Sequence, residues 1–231
     1  MTTVLITGAN RGIGLELTKR YATAGNSVLA CCREPAKAKD LNALAAANKS
    51  VKVLGVHVAD AKSVAALKVT LGDRPIDVLI NNAGMQGPAP QNQSLEQMDY
   101  DGWAETFAVN SMAPLRMLQA LRGNLAKGKQ PKAVTITSQM GALSLDMTMA
   151  YAYCASKAAV NKVMRLASVE LAQQGIAVSL IHPGWVKTDM GGPHAQLTVE
   201  ESAKGIQSVI DKLTLDDTGS FRKWNGETHA W

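Results

Sequence analysis

The chain has 231 residues and a formal charge of +5, with 46% hydrophobic and 19% charged residues, a balance near the globular average that excludes a disordered or fibrous protein. Only 4% is aromatic, with two Phe, so the core must come from Ala, Val, Leu, Ile and Met, which suits helices on a buried parallel sheet. No Lys/Arg cluster marks a nucleic-acid partner, and no apolar run approaches the roughly 20 residues of a membrane helix.

Met1-Thr2-Thr3 leads straight into the first strand without a basic flank or cleavage site, so no signal peptide is expected. Val4-Leu5-Ile6 is that strand. A helix over 12–24 follows, with Ile13, Leu17, Tyr21 and Ala24 recurring on one face, and Gly25-Asn26 stops it. Ser27 to Cys32 is the second strand, and 35–48 an Ala-rich helix. Cys31 and Cys32, being adjacent on a strand, point to opposite faces. With Cys154 they make an odd count and no metal-ligand spacing, which excludes a disulfide framework, leaves no metal site and points to a reducing, cytoplasmic compartment. The third strand covers 51–58, a helix 61–71, and the fourth strand 76–80. A helical stretch over 103–127 holds Pro114 near the join of two segments. Strand five covers 133–137, a long helix 151–174 and strand six 176–181; the tail after Leu215 is polar, with a short edge strand starting at Phe221. This alternation predicts one α/β domain over 1–231, a Rossmann-type doubly wound parallel sheet with helices on both faces. Ligands in such folds lie at the carboxyl ends of the strands.

Four strand ends carry candidate chemistry. Thr7-Gly8-Ala9-Asn10-Arg11-Gly12-Ile13-Gly14 ends strand one. Its glycines bring backbone close to a ligand, and the next helix offers free N–H groups to a phosphate. At the end of strand two, Cys32 takes the place of the carboxylate that would bond a ribose 2′-hydroxyl, and Arg33 follows. Arg11 and Arg33 together would clamp a 2′-phosphate, favouring NADP(H) over NAD(H), with Glu34 as the opposing charge. Asn81-Asn82-Ala83-Gly84 ends strand four; it reads as a turn, or as a tie between adjoining strands that borders the cofactor ribose. Ser138 follows strand five. In Tyr151-Ala152-Tyr153-Cys154-Ala155-Ser156-Lys157, Tyr153 and Lys157 are four apart and share a helix face, while Tyr151 does not. An ammonium beside a phenol lowers its pKa from about 10 and makes a general acid/base. Asn110, mid-helix, is unfavoured there unless its side chain has work.

With His182-Pro183-Gly184-Trp185-Val186-Lys187-Thr188 after strand six, these motifs make the chain resemble a short-chain dehydrogenase/reductase nearly end to end. The turn from Gly184 to Gly192, Leu197-Thr198 and the terminal Trp231 are most similar to the C-factor and sniffer-type carbonyl reductase branch. The resemblance implies hydride transfer between NADP(H) and a small carbonyl or alcohol. Tyr153 is the proton donor or acceptor, Lys157 depresses its pKa and bonds the nicotinamide ribose, Ser138 holds the substrate oxygen, and Asn110 supports a water next to Lys157. It implies cofactor contacts at Gly8, Asn10, Arg11, Gly12, Ile13, Gly14, Arg33, Val58, Asn82, Ala83, Gly84, Tyr153, Lys157, Pro183, Val186 and Thr188. It also implies a homodimer through the helices near 103–127 and 151–174.

Two departures stand out. His57 occupies a place where many relatives carry Asp, leaving Asp60 to cap a helix. The monomeric carbonyl reductases carry an insertion before the catalytic Tyr, for which the spacing of Ser138 and Tyr153 leaves no room. Met85, Met140, Met147, Trp185 and Met190 in crevice-side segments point to an apolar or aromatic carbonyl substrate, and a loop over about 184–198 to a lid on the substrate side. The alternative reading is a cofactor-binding signalling protein of the C-factor type with little turnover.

Overall fold

The computed structural model describes all 231 residues. Its strands are β1 (Thr3–Thr7), β2 (Ser27–Cys32), β3 (Val51–Gly55), β4 (Val78–Asn81), β5 (Lys132–Ile136), β6 (Ala177–His182) and β7 (Ser220–Lys223). They form one sheet in the order β3-β2-β1-β4-β5-β6-β7, with every pairing parallel. The order reverses between β1 and β4, the switch point of a doubly wound sheet.

The sheet is covered on both sides, so its strands read as continuous apolar runs. On one face Val4, Ile6 and Cys32 pack against Leu17 and Tyr21 of α1 (Gly12–Thr23), Leu41 of α2 (Lys39–Ala47) and Ile206 of α7 (Val199–Lys212). On the other, Leu5, Leu29 and Cys31 pack against Leu67 of α3 (Ala61–Leu71), Met117 of α5 (Ala113–Leu125) and Val160 of α6 (Tyr151–Ala172). Cys31 and Cys32 do face opposite ways. No helix is long and apolar enough to cross a membrane.

Several boundaries differ from the sequence reading. The predicted helix over 35–48 is a 3₁₀ turn, Pro35–Lys37, followed by α2. The third strand leaves the sheet after Gly55, and Val56 to Val58 turn along the strand ends. Asp60 caps α3 by accepting from Lys62 N at 2.9 Å. The stretch expected from Trp103 starts earlier, as α4 (Tyr100–Phe107) capped by Asp99, and is broken from α5 by a π-type turn over Ala108–Met112. Pro114 sits in the first turn of α5, directly after the π-type turn.

The sequence reading assigns no element between Thr188 and Leu215, yet α7 lies there. Its start is a reciprocal cap: Thr198 Oγ1 accepts from Glu201 N at 3.1 Å, and Glu201 Oε2 accepts from Thr198 N at 2.9 Å. Ser202, Ala203, Ile206, Val209 and Ile210 give it a buried stripe. Tyr21 of α1 donates to Asp211 Oδ1 at 3.3 Å, and Lys132 Nζ donates to the carbonyls of Ile210 and Asp211 at 2.9 and 3.1 Å. A cation therefore meets the carboxyl end of α7, where the helix dipole favours it.

Candidate active site

The cleft opens where β1 and β4 part company. From β1 the chain turns toward α1 on one face, and from β4 toward α4 and α5 on the other. Thr7 and Asn82 hold the two ends together. Thr7 Oγ1 accepts the N–H groups of Asn82 and Ala83 at 3.0 and 3.1 Å. Asn82 Nδ2 donates to the carbonyls of Thr7 and Gly8 at 3.0 and 3.1 Å. Asn82 thus ties the two strand ends, while Asn81 Nδ2 donates to Pro114 O at 3.4 Å. Gly8 has φ +64°, and a Cβ on Gly14 would stand 2.2 Å from Gly8 O, so the turn and the start of α1 close together only as glycines. Arg11, the N-cap of α1, is extended and makes no side-chain cap. The helix therefore presents its opening N–H groups without an internal partner.

One cleft of about 830 Å³ gathers most of the predicted residues. Gly8, Asn10, Arg11, Gly12 and Ile13 form one wall; Arg33 and Val58 stand at the ends of β2 and β3; Asn82, Ala83 and Gly84 lie at the floor with Tyr153 and Lys157; Pro183 and Thr188 come from the loop after β6. Gly14, Asn110, Ser138 and Val186 are not on its wall. Gly14 packs beneath Gly8, and Asn110, Ser138 and Val186 are buried.

Arg11 and Arg33 both line this cleft, and Arg11 also has a partner across it. Its guanidinium meets Asp189 at 2.7 Å, with both side chains largely exposed, and bridges the glycine turn to the loop after β6. Lys37, on the turn before α2, also lines the cleft and pairs with Glu34 at 2.7 Å. The sequence reading missed Lys37 because it counted that residue into a helix. His57 lies on the cleft wall, its N–H held by Ser63 Oγ at 2.9 Å, and its Nδ1 has no partner.

Asn110 sits in the π-type turn. Its Oδ1 accepts from Met85 N at 2.9 Å, and its Nδ2 donates to Met85 O at 2.8 Å and Ser156 Oγ at 3.0 Å. Ser156 in turn donates to Tyr153 O at 2.7 Å. The side chain does have work: it anchors the chain after β4 to α6. Ser156 was visible in the sequence but given no role there. Ser138 Oγ accepts from Met140 N at 3.1 Å and opens a short 3₁₀ turn. Thr137 donates to Asn161 Oδ1 at 2.6 Å, fixing the end of β5 against α6.

Tyr153 and Lys157 do share a face, with Nζ 5.6 Å from the ring centroid. Lys157 is buried, and Nζ donates to Ile136 O at 3.1 Å. The electrostatics depart from expectation. Tyr153 keeps a partly exposed edge, but burial pushes its phenol up to about 12, with hydrogen bonding by Ser138 pulling the other way. Burial also pushes the Lys157 ammonium down to about 8. Desolvation disfavours phenolate and ammonium alike and holds both groups toward their neutral forms. His182 is buried, accepts from Gln139 N at 3.2 Å through Nδ1, and packs edge-on to His229.

Comparison with known proteins follows the same lines. The family model described as short chain dehydrogenase matches residues 2–197. The C-signal of Myxococcus xanthus is 41% identical over 158 residues, covering 68% of this chain and 93% of that protein. The NADPH-bound carbonyl reductase from chicken fatty liver superposes with a TM-score of 0.93 at 32% identity, covering 100% of this chain and 99% of that one. The carbonyl reductase Sniffer of D. melanogaster superposes with a TM-score of 0.91 at 29% identity, covering 100% of both chains.

Burial, with His229 and Lys223 adding positive charge nearby, pushes His182 from 6.5 down to about 4. The unfolded chain therefore binds the extra proton, and stability falls as pH drops between those values. The loss should reach roughly 3 kcal/mol. Denaturant melts of wild type and His182→Asn across that range should show a flatter pH dependence in the variant. Parallel curves would remove His182 as the cause.

Proposed function

The chain belongs to the short-chain dehydrogenase/reductase family, and from that premise we propose how its own residues carry the reaction. It is an NADP(H)-dependent oxidoreductase of small-molecule carbonyl and alcohol groups. The bound nicotinamide supplies or takes up the hydride. The glycine turn, which leaves no room for a Cβ at Gly14, and the uncapped start of α1 fit a pyrophosphate. Arg33 and Lys37 fit a 2′-phosphate, beside a Cys32 that brings no carboxylate.

Tyr153 acts as general acid in reduction, giving its phenolic proton to the carbonyl oxygen, while Ser138 holds that oxygen. Lys157 holds the ribose side of the site and returns a proton to Tyr153. Asn110 anchors the segment after β4 so that this wall stays in place. The observation that carries the reading is the Tyr153/Lys157 pair set into the wall of the cleft opposite the glycine turn. Burial keeps Tyr153 protonated through neutrality, and that protonation state serves reduction. A signalling protein with little turnover has the C-signal relative on its side. It leaves the buried pair without a use, and the carbonyl reductases match the chain over its whole length.

An apolar or aromatic substrate is supported by Leu143, Leu145, Met147 and Met149, exposed in the segment between β5 and α6, and by Trp185 and Met190 after β6. The loop over 184–198 covers that side of the cleft; Gln86 Nε2 holds Met190 O at 2.8 Å, and Trp185 Nε1 holds Gly191 O at 2.8 Å.

Tyr153→Phe should lower the reductive rate about 10²–10⁴-fold with cofactor affinity nearly intact. The wild-type reductive rate should hold through neutral pH and fall under alkaline conditions as the phenol ionises. A reductive rate that rises with pH, or an active Tyr153→Phe, would overturn the assignment. NADPH should bind more tightly than NADH, and Arg33→Ala should remove about 1.5–3 kcal/mol of that preference. Equal dissociation constants for the two cofactors in the wild type would sink the role of Arg33 and Lys37. A homodimer through α5 and α6 is supported by Met112, Leu166 and Val169, exposed on or beside those helices. Sedimentation should show a dimer that Leu166→Glu dissociates; a wild-type monomer would end that proposal.

A further inference from the structure

Gln93 lies in the irregular segment between β4 and α4, where polar side chains ordinarily face water, yet it is 3% exposed. Both ends of its carboxamide are engaged. Nε2 donates to Pro88 O at 2.6 Å and Gln86 O at 3.3 Å, and Oε1 accepts from Tyr153 N at 3.3 Å. Its backbone carbonyl accepts from Tyr151 N at 3.4 Å.

These last two bonds fall where α6 lacks partners of its own. The opening N–H groups of a helix need acceptors, usually from an Ser, Thr, Asp or Asn cap. The residue before α6 is Ala150, in a left-handed conformation at φ +57° with no side chain to offer, and the first turn holds no acidic residue. Ala at such a φ is strained and persists only where its surroundings fix it. Gln93 caps the helix from another part of the chain, and one of the two N–H groups it holds belongs to Tyr153. Gln86, whose carbonyl Gln93 grips, donates its own side chain to Met190 O at 2.8 Å. A line of hydrogen bonds runs from the loop after β6 through Gln86 and Gln93 to the backbone of Tyr153.

We propose that Gln93 is a positioning residue for Tyr153, fixing the first turn of α6 and, through Gln86, tying the placement of the phenol to the loop over 184–198. This rests on Tyr153 being the proton donor. The reacting hydroxyl must meet the substrate oxygen within a few tenths of an ångström, and a small displacement of its helix turn misaligns it without touching the cofactor.

The test uses the full chain with NADPH and a reducible aldehyde. Gln93→Leu keeps the volume and removes every side-chain bond. It should lower kcat about 10- to 100-fold and leave NADPH affinity within about twofold. The pH midpoint of kcat should also move, since the phenol shifts relative to Ser138. Gln93→Glu keeps an acceptor for Tyr153 N but sets a carboxylate against two carbonyl oxygens. Its kcat should recover as pH is lowered and the protonated acid regains a donor. Gln86→Ala, an exposed change, should move kcat and its pH midpoint in the same direction as Gln93→Leu, by less. Should Gln93→Leu not fold, Gln93→Glu and Gln86→Ala carry the test. Variants that lose thermal stability but keep the wild-type kcat and pH midpoint would overturn the proposal, leaving Gln93 a structural tie. An active Tyr153→Phe would instead overturn the reading on which it rests, so the two failures are distinct.

Discussion

Two strands that lead away from each other have to be held together at the point where they part, and the cleft depends on that junction. Thr7 and Asn82 make it with four hydrogen bonds between the ends of β1 and β4. Parallel strands pair through backbone bonds only along their length. Beyond Thr7 and Asn81 the backbones diverge toward helices on opposite faces, and side chains must supply the partners that the sheet no longer does. A short hydroxyl and a carboxamide, both donor and acceptor, can do this where an apolar pair cannot. With the junction closed, Gly8 can pass directly over the start of α1, and the floor of the cleft is set.

The second constraint is burial. Tyr153, Lys157 and His182 lie near the carboxyl ends of β5 and β6, and each is held toward its neutral form. The arrangement favours the protonated phenol of Tyr153 at neutral pH and makes His182 a neutral packing and hydrogen-bonding group. Polar partners offset the cost. Lys157 has Ile136 O, His182 has Gln139 N, and Asn110 satisfies both ends of its amide on Met85 and Ser156. The π-type turn is part of the same solution. Widening the helix at Ala108–Met112 accommodates an Asn whose side chain is committed outside the helix.

Much of this was legible from residue patterns. Apolar runs at strand spacing located six of the seven strands, and Phe221 marked the seventh. The glycine turn, the Asn pair and Ser138 lie at strand ends, where a doubly wound sheet puts its ligands, and the Tyr/Lys spacing was legible as one face of a helix. Helix α7 was legible too: Thr198 and Glu201 stand at capping spacing, and Val199, Ala203, Ile206 and Ile210 recur at helical spacing, yet no strand-end motif draws attention to the segment. Other features were less visible. Lys37 was hidden inside a helix that in fact begins at Lys39. Gln93 carried no local signal at all, since a glutamine between Asn92 and Ser94, shortly after Pro88 and Pro90, reads as an exposed loop residue.

What the sequence by itself determined is the order of the strands, the parallel sheet and the motifs that stand at their ends. These follow from local periodicity and from turn chemistry within a few residues. Only the tertiary structure decided that Lys37 lines the same cleft as Arg33, that Arg11 meets Asp189, and that burial holds Tyr153 and Lys157 toward their neutral forms. The reason is physical. Pairing partners such as Arg11 and Asp189, or Gln93 and Tyr153, lie far apart along the chain, and desolvation depends on everything packed around a group. Neither quantity exists until the chain is folded.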